Sequence, residues 1–345
     1  MLSKFLAALL LVTVAAGLPA LELQRGKLKL VVNERTGRYV LWGTEDPTKP
    51  GWTALFLADD PTTSKWKLLV GDKAFVLGDA PSFTTAVEAT ATGAKITWTS
   101  KNLIAILSLD FVLSAGSALA DGLRLDLSVT NVSEASLKVG VRWVIDTSLG
   151  EKKEHFHLAT GESVNSESKL EGTFPDWWAS RSAADDSFGL LVMVGKGVTP
   201  PSRVVFANWK RLDDTVGDPV FKKGRDFNLL PYSFNDSAVA QVYDAQDLSP
   251  GSSRDVTVLM GLLSSQTLVG ARITSANPLD DLLKKNQDPA LGAIDQDVAS
   301  LKTLQGQIEA KLADPSRVTA EDLRLLQAVL DQIDVRRKAL EASKP

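Results

Sequence analysis

The chain has 345 residues, no cysteine, two histidines and a formal net charge of -4. This length allows a large hydrophobic core. The lack of cysteine excludes disulfide bonds, thiolate metal sites and a cysteine nucleophile. The acidic balance, with no basic run along the chain, argues against a nucleic-acid partner.

The first twenty residues have the pattern of an export signal. Lys4 precedes an apolar run over residues 5–16, and small residues follow up to Ala20. A basic start, a short apolar stretch and a small-residue end are typical of a secretory signal peptide. No later apolar stretch is long enough to span a bilayer. We therefore expect a bacterial protein, periplasmic or secreted, without a transmembrane span or a lipid anchor; an uncleaved membrane anchor is the alternative.

Residues 21–264 are predicted to form a β-sandwich domain. Apolar and polar residues alternate over 123–130 and 137–145, which predicts two long strands paired as an antiparallel hairpin with one buried face. A turn over 33–37 is expected to join strands at 28–32 and 38–42. Further strands are predicted at 66–70, 74–77, 83–89, 95–99, 104–113, 188–194, 203–207, 238–243 and 255–262. The fold class is therefore mainly β, a large antiparallel sandwich of supersandwich size.

The pattern changes near Pro278. Residues 265–289 are predicted to be a linker with a short helix. Over 290–345, apolar residues recur every three or four positions on both sides of Asp314-Pro315, which predicts an antiparallel, coiled-coil-like helical hairpin. This hairpin either packs on itself or the sandwich, or serves as a docking or oligomerisation arm.

One segment resembles a known family. Residues 139–150 read VGVRWVIDTSLG, which is similar to the VG-x-R-x-x-x-DT-x-x-G stretch of a family of secreted bacterial β-sandwich proteins. Similar segments follow in the same order, FPDWW at 174–178, then RVVFANW at 203–209 and DSAVA at 236–240. The early turn also resembles the opening of galactose-mutarotase-like domains, and the resemblance implies that supersandwich fold.

The same family often has an acidic Asn-Asp-Gly stretch after its Asp-Thr pair. This chain has Glu151-Lys152-Lys153-Glu154 there. The resemblance therefore does not extend to a shared metal or ligand role at this position, and we predict no metal and no cofactor.

Arg142 and Asp146 are predicted to lie on one strand face, opposite Trp143. Four residues along a strand span about 13 Å, so the two cannot pair with each other and each needs another partner. A structural ion pair and a ligand-facing role both remain open.

His155 and His157 are spaced to lie on one strand face. With a third ligand they could bind a metal, or one of them could be an acid or base of mutarotase type. The alternative is two surface histidines beside a buried Phe156.

Trp177 and Trp178, with Trp209, could form an aromatic floor for a sugar or peptide, flanked by Arg181 and Lys210. Packing in the core is the alternative for these rings. Asn208 and Asp236 are expected to cap turns.

The chain contains no nucleophile elbow, P-loop or dinucleotide-binding glycine motif. The leading hypothesis is therefore an exported, non-catalytic binding or scaffold protein that contacts an envelope protein or a glycan. The alternative is a carbohydrate-active enzyme or epimerase of mutarotase type. The candidate ligand-binding residues are Arg142, Asp146, Trp177, Trp178, Arg181 and Trp209, and the catalytic candidates are His155 and His157.

Overall fold

The computed structural model describes residues 20–47, 49, 51–58, 62–115, 117, 119–263 and 268–273, with six further positions at 305, 306, 308, 327, 330 and 331. Residues 1–19 of the predicted signal peptide lie outside the described residues, and its last residue, Ala20, is described. The predicted helical hairpin at 290–345 also lies outside them, apart from those six positions, which are helical. Most of the predicted linker is likewise outside.

The described part of the chain is mainly antiparallel β-structure. Its first ten strands are β1 (Ala20–Arg25), β2 (Leu28–Asn33), β3 (Tyr39–Gly43), β4 (Thr53–Ala54), β5 (Lys65–Val70), β6 (Lys73–Val76), β7 (Thr84–Ala89), β8 (Gly93–Thr99), β9 (Leu103–Leu113) and β10 (Gly122–Asn131). The later strands are β11 (Leu137–Asp146), β12 (Phe156–Leu158), β13 (Ser163–Val164), β14 (Ser168–Glu171), β15 (Trp177–Arg181), β16 (Gly189–Met193), β17 (Arg203–Asn208), β18 (Ser237–Leu248), β19 (Ser253–Leu262) and β20 (Arg272–Ile273). A short helix, α1 (Trp209–Asp214), follows β17.

The strands form three sheets. One has the order β1-β2-β3-β4; the ten-stranded sheet runs β13-β12-β15-β16-β19-β10-β9-β8-β7, with β20 beside β9. The six-stranded sheet runs β14-β17-β18-β11-β5-β6. Every longer strand predicted from the alternating pattern is present. The elements that were not predicted are α1 and the strands β1, β4, β12–β15 and β20, of which β20 lies within the predicted linker and pairs with β9.

The predicted central hairpin is wrong. β10 pairs with β9 and β19 in the ten-stranded sheet, whereas β11 pairs with β5 and β18 in the six-stranded sheet. The connection crosses between sheets, and the buried Asn131 amide holds it by donating to Ala135 O (2.7 Å) and Leu248 O (2.8 Å). The alternation of apolar and polar residues determines which face of a strand is buried, but not which strand pairs with it. Both β10 and β11 bury one face in the same core, from sheets on opposite sides of it.

That core is one continuous cluster contributed by all three sheets. It includes Leu28, Leu30, Leu123, Leu125, Leu127, Val139, Val141, Trp143 and Ile145. Each fully buried side chain of this kind contributes about 1.5–3 kcal/mol. The face prediction for β11 is confirmed, because Trp143 lies in the core and its neighbours Arg142 and Val144 lie on the other side of the sheet.

Helix α1 covers that outer side of the six-stranded sheet. Asn208 caps it, as expected, by accepting from Lys210 N (3.1 Å). Leu212 packs in a second cluster with Val144 and its neighbours. Asp213 forms ion pairs with Lys65 (3.1 Å) and Lys67 (2.7 Å) of β5, which fixes the helix on the sheet. Within the described residues, no helix has the length and apolar character needed to cross a bilayer.

Candidate functional site: a carboxyl cluster at the β11–β18 end

The site lies where β11 ends and β18 begins. These strands pair antiparallel, with Asp146 opposite Ala238, so the last residue of β11 lies beside the chain that enters β18. The backbone at Asp146 is fixed on its other side, since Asp146 O accepts from Leu57 N (3.0 Å) and Asp146 N donates to Ser64 Oγ (2.9 Å).

A tight turn after β11 brings Glu151 back over this end. A Cβ at Gly150 would lie 2.3 Å from Glu154 O and 2.6 Å from His155 O. Only glycine allows this close approach of two backbone segments. Lys153 N closes the turn on Gly150 O (3.0 Å). The last glycine of the VGxRxxxDTxxG pattern therefore has a physical reason in this chain.

Three carboxyl groups meet at this place. One carboxylate oxygen each from Asp146, Glu151 and Asp236 lies within 4.8 Å of the other two. Asp146 is 2% exposed, and Glu151 and Asp236 are half-buried. Glu151 Oε1 also accepts from Ser237 N (3.2 Å).

Burial and mutual repulsion hold protons on this cluster. Burial, with a smaller effect of the Asp236 charge, raises the pKa of Glu151 to about 7, although the Ser237 amide opposes it. Burial also raises the pKa of Asp236, against a hydrogen bond from Ser233. Carboxyl groups so close together cannot all ionise readily, so near neutral pH one can carry a proton while its neighbour does not.

His155 is connected to the carboxyl cluster through Ser237. Its side chain is buried, its Nδ1 lies 2.7 Å from Ser237 Oγ, and its ring packs 4.5 Å from that of Phe227. Burial lowers the pKa of His155, and a hydrogen bond with Asn235 opposes this effect. His155 and Glu151 thus bond to the same serine, which makes His155 a positioning residue for the carboxyl cluster.

The arrangement has two chemical uses. A pair of half-buried carboxyls with raised pKa values can donate and accept protons, which is the requirement for general acid–base chemistry. The same oxygens are of the type that Ca²⁺ or Mg²⁺ takes, and the three carboxylates could hold one such ion. Among the described residues, the group placed to do so contains neither His155 nor His157, so a metal site at the histidines, one of the alternatives left open by the sequence, has no support there.

His157 lies in a separate, small cavity. Its Nε2 is 3.2 Å from Glu154 Oε2, and burial lowers its pKa, with the Arg181 charge adding to this. Arg181 lines the same cavity, which has a volume of about 30 Å³ and is bordered by a Lys153–Asp186 ion pair of 2.5 Å. Since this volume is close to that of a water molecule, the cavity does not accept a sugar.

The predicted aromatic floor is wrong. Trp178 is fully buried in the main core, with its ring 5.7 Å from that of Phe156. Trp177 is half-buried on the opposite face of β15, because successive strand residues point to opposite sides. Trp209 packs on the outer side of the other sheet, where Lys65 Nζ lies 5.2 Å from the centre of its ring. Lys210 is partly exposed and pairs with Asp214 (3.0 Å).

Arg142 holds a loop instead of facing a ligand. Its side chain is fully buried, and its guanidinium donates to Thr215 O (2.7 Å) and to Gly217 O. Burial lowers its pKa to about 10. Val216, Gly217 and Asp218 form one wall of a groove of about 520 Å³ on this sheet face, so Arg142 fixes that wall.

Arg142→Met is expected to destabilise the protein by about 1–3 kcal/mol, because the carbonyls of Thr215 and Gly217 lose the buried donor that fixes their loop on the sheet. Hydrogen exchange at residues 215–221 should accelerate with it, measured by mass spectrometry. Lys138→Met, an exposed change on the same strand face, is the control and should shift stability by less than about 0.5 kcal/mol. Unchanged protection of the loop in Arg142→Met would contradict this role.

Sequence reasoning found Asp146 but missed its two partners. Glu151 was noted only in the stretch after the Asp-Thr pair, where no ligand role was expected, and Asp236 only as a turn cap. The missing information was the pairing of β11 with β18, in which Asp146 lies opposite Ala238, 92 positions further along the chain. The Asp-Thr-x-x-Gly stretch was the available signal, since its glycine directs the chain back over Asp146.

Comparisons with known proteins bear on the fold. No protein-family model matches the chain, and no curated protein matches it in sequence, so the family resemblance of residues 139–150 stays a prediction. A structure assigned as an aldose 1-epimerase from Escherichia coli K12 has 14% identity and a TM-score of 0.45, covering 71% of this chain and 99% of that one.

Two other solved structures are galactose mutarotase-like proteins. The one from Lactobacillus casei has 12% identity and a TM-score of 0.41, covering 71% of this chain and 100% of that one. The one from Clostridium acetobutylicum has 10% identity and a TM-score of 0.39, covering 70% and 94%. None of the three reaches a TM-score of 0.5, and the chemistry proposed below depends on this chain's own geometry.

Proposed function

We propose that this protein is a galactose-mutarotase-like β-sandwich that performs acid–base chemistry on a carbohydrate. The observation that carries the proposal is the convergence of three carboxyl groups within 4.8 Å at one end of the β11–β18 pair. Two of them, Glu151 and Asp236, are only half-buried and can be reached from solvent. This differs from the leading hypothesis drawn from the sequence, a non-catalytic scaffold, and develops its alternative, with carboxyl groups in place of histidines as the reacting groups.

The reaction that this pair fits is the interconversion of sugar anomers. Asp236, as carboxylate, takes the proton from the anomeric hydroxyl, while Glu151, as carboxylic acid, gives its proton to the ring oxygen. The ring C–O bond breaks and the anomeric C=O forms. Reclosure on the other face of the carbonyl reverses both transfers, so protons and electrons balance. A donor and an acceptor held together can accelerate such transfers by about 10²–10⁴-fold.

The remaining residues position this pair. Ser237 connects Glu151 to the neutral imidazole of His155, and Asn235 Nδ2 donates to Glu151 O (2.5 Å). Asp146 is more deeply buried than the other two and lies behind them.

The test is an anomer-exchange assay. Pure α-anomers of glucose, galactose, mannose and xylose are mixed with the full chain in EDTA, and exchange is followed by polarimetry and saturation-transfer NMR. We expect acceleration with at least one of these sugars and its loss in Asp236→Asn. The control is Asp255→Asn, an exposed aspartate on β19.

Two other results would change the conclusion. Sugar binding without exchange would support the non-catalytic glycan-binding hypothesis instead. Exchange that appears only when Ca²⁺ or Mg²⁺ replaces EDTA would mean that the carboxyl cluster acts through a bound cation.

We also propose that the protein is exported and acts on envelope or external glycans, with residues 290–345 as its docking or oligomerisation arm. The signal-like residues 1–20 and the Leu-rich pattern of 290–345 support this. Expression of the full chain in a bacterial host, with fractionation and N-terminal sequencing, should place the mature protein outside the cytoplasm, beginning near residue 21. Retention of residues 1–20 on a cytoplasmic protein would overturn the export part.

A further inference from the structure

One turn exposes three large apolar side chains. Leu230, Tyr232 and Phe234 are 71%, 75% and 75% exposed, more than any other large hydrophobic residue in the described part of the chain. Val220 follows at 58%. Exposed apolar side chains grouped in this way mark an interaction site more often than scattered ones do.

The turn has a fixed base. Leu229 and Ser233 exchange two backbone hydrogen bonds of 3.0 Å. The fully buried Asn208 amide donates to Ser233 Oγ (2.9 Å) and Asp236 O (3.1 Å). Asn228 Oδ1 accepts from Asn235 N (2.8 Å). The rings are therefore displayed from an anchored support, which lowers the conformational entropy lost on binding a ligand.

The turn leads directly into the carboxyl cluster. Phe234 and Asp236 are two residues apart, so their Cα atoms lie within about 7 Å. Between them, Asn235 has a φ of +57°, a left-handed conformation that asparagine tolerates better than other non-glycine residues. The Asn235 amide donates to Glu151 O. Phe234 can thus point to solvent while Asp236 points into the cluster.

We propose that Tyr232 and Phe234 form a stacking platform for a sugar ring of a neutral oligosaccharide whose adjacent unit occupies the carboxyl cluster. The proposal rests on the proposed carbohydrate function and names its substrate class. An aromatic face packs on the C–H face of a pyranose ring, and neighbouring carboxyl and amide groups bind its hydroxyls.

Charge and surroundings select this occupant. Asp236, which acts as a carboxylate in the proposed reaction, disfavours an anionic glycan beside it, so the proposed ligand is uncharged. A wholly apolar partner would remove water from the half-buried Asn235 and Asp236 and offer no hydrogen bond in return, which is unfavourable. A sugar supplies both an apolar face and hydroxyl groups.

The test measures binding independently of catalysis. Cellotetraose, maltotetraose and β-1,4-galactotetraose are titrated by calorimetry into the full chain and into Tyr232→Ala and Phe234→Ala. We expect at least one tetrasaccharide to bind, and each substitution to weaken it about five- to tenfold, the scale of one aromatic contact. Val220→Ala, an exposed apolar change elsewhere, should leave affinity unchanged. The C6-oxidised, uronate form of a tetrasaccharide that binds should bind less tightly than the neutral form.

The outcomes separate this inference from the proposed function. If the chain catalyses no anomer exchange but Tyr232→Ala and Phe234→Ala still weaken binding, the platform stands and the catalytic proposal fails. Wild-type affinity in a variant carrying both Tyr232→Ala and Phe234→Ala would overturn the platform, as would no binding of any tetrasaccharide. Two further assays test other occupants of the platform: co-sedimentation with phosphatidylcholine–phosphatidylglycerol vesicles and self-association in ultracentrifugation. If Tyr232 and Phe234 are needed for either of these and not for glycan binding, the platform proposal is overturned.

Discussion

Glu151→Gln is expected to lower the rate of anomer exchange about 10²-fold or more, because the pair loses its proton donor. Glutamine has nearly the same shape, and its oxygen can still accept from Ser237 N, as Glu151 Oε1 does. Sugar affinity and circular dichroism should therefore change little. The measurement is exchange by saturation-transfer NMR, with Glu162→Gln, an exposed carboxyl on the surface, as matched control.

The pH dependence of the same variant provides a second, independent readout. In the wild type, Glu151 must carry its proton to act as the acid, so exchange should fall as pH rises through about 7. Glu151→Gln should lose this limb of the profile. Residual exchange that keeps a midpoint near pH 7 would show that another group is the acid.

Stability should respond to pH with a defined sign. The folded-state pKa of Glu151, about 7, lies above its ordinary value of 4.5, so the protonated form favours folding. This contribution is fully present below pH 4.5 and is lost as pH rises through 7. Denaturation in EDTA should show Glu151→Gln gaining about 1 kcal/mol over wild type between pH 4 and pH 8, a value reduced for partial solvation of the carboxyl. An equal difference at both pH values would contradict the raised pKa.

Strand positions could be predicted from the sequence, and strand partners could not. Alternation identified both β10 and β11 and the buried face of each, because the period-two pattern is local. Their separation into two sheets depends on pairings with β19 and β18, more than 90 residues further along the chain. A five-residue connection with Ser, Glu and Ala resembles a hairpin loop as closely as a crossing between sheets.

The candidate site shows the same limit. Asp146 was identifiable as a polar residue at a strand end, but whether it meets Glu151, His157 or no partner depends on β18 and on the backbone approach at Gly150. Trp177, Trp178 and Trp209 were candidates for a ligand platform on chemistry alone, with packing in the core as the other reading. Trp178 is buried because it faces the core from β15, whereas Tyr232 and Phe234 are exposed because they lie in a turn. Residue type indicates what a ring can bind, and only the fold determines what can reach it.

Trp143→Ala is expected to destabilise the protein by about 3–5 kcal/mol, the range for removing a large buried aromatic side chain. Its ring stacks on that of Trp66 at 5.2 Å and meets Phe56 edge-on at 6.4 Å. Trp66 Nε1 in turn donates to Tyr39 OH (3.2 Å). The substitution therefore leaves a cavity between the six-stranded sheet and the sheet of β1–β4, where the backbone can collapse only partly.

This loss is a large share of the 5–15 kcal/mol that stabilises a typical domain. It is measured by urea denaturation followed by circular dichroism at pH 6. Trp42→Ala is the matched control, because that ring is half-buried on an outer face with Lys29 5.2 Å above it, and its loss should cost about 1 kcal/mol. If Trp143→Ala lowers the free energy of unfolding no more than Trp42→Ala does, the ring of Trp143 does not hold β11 against the sheet of β1–β4. The carboxyl cluster at the end of β11 would then lack the rigid support that proton transfer between fixed groups requires.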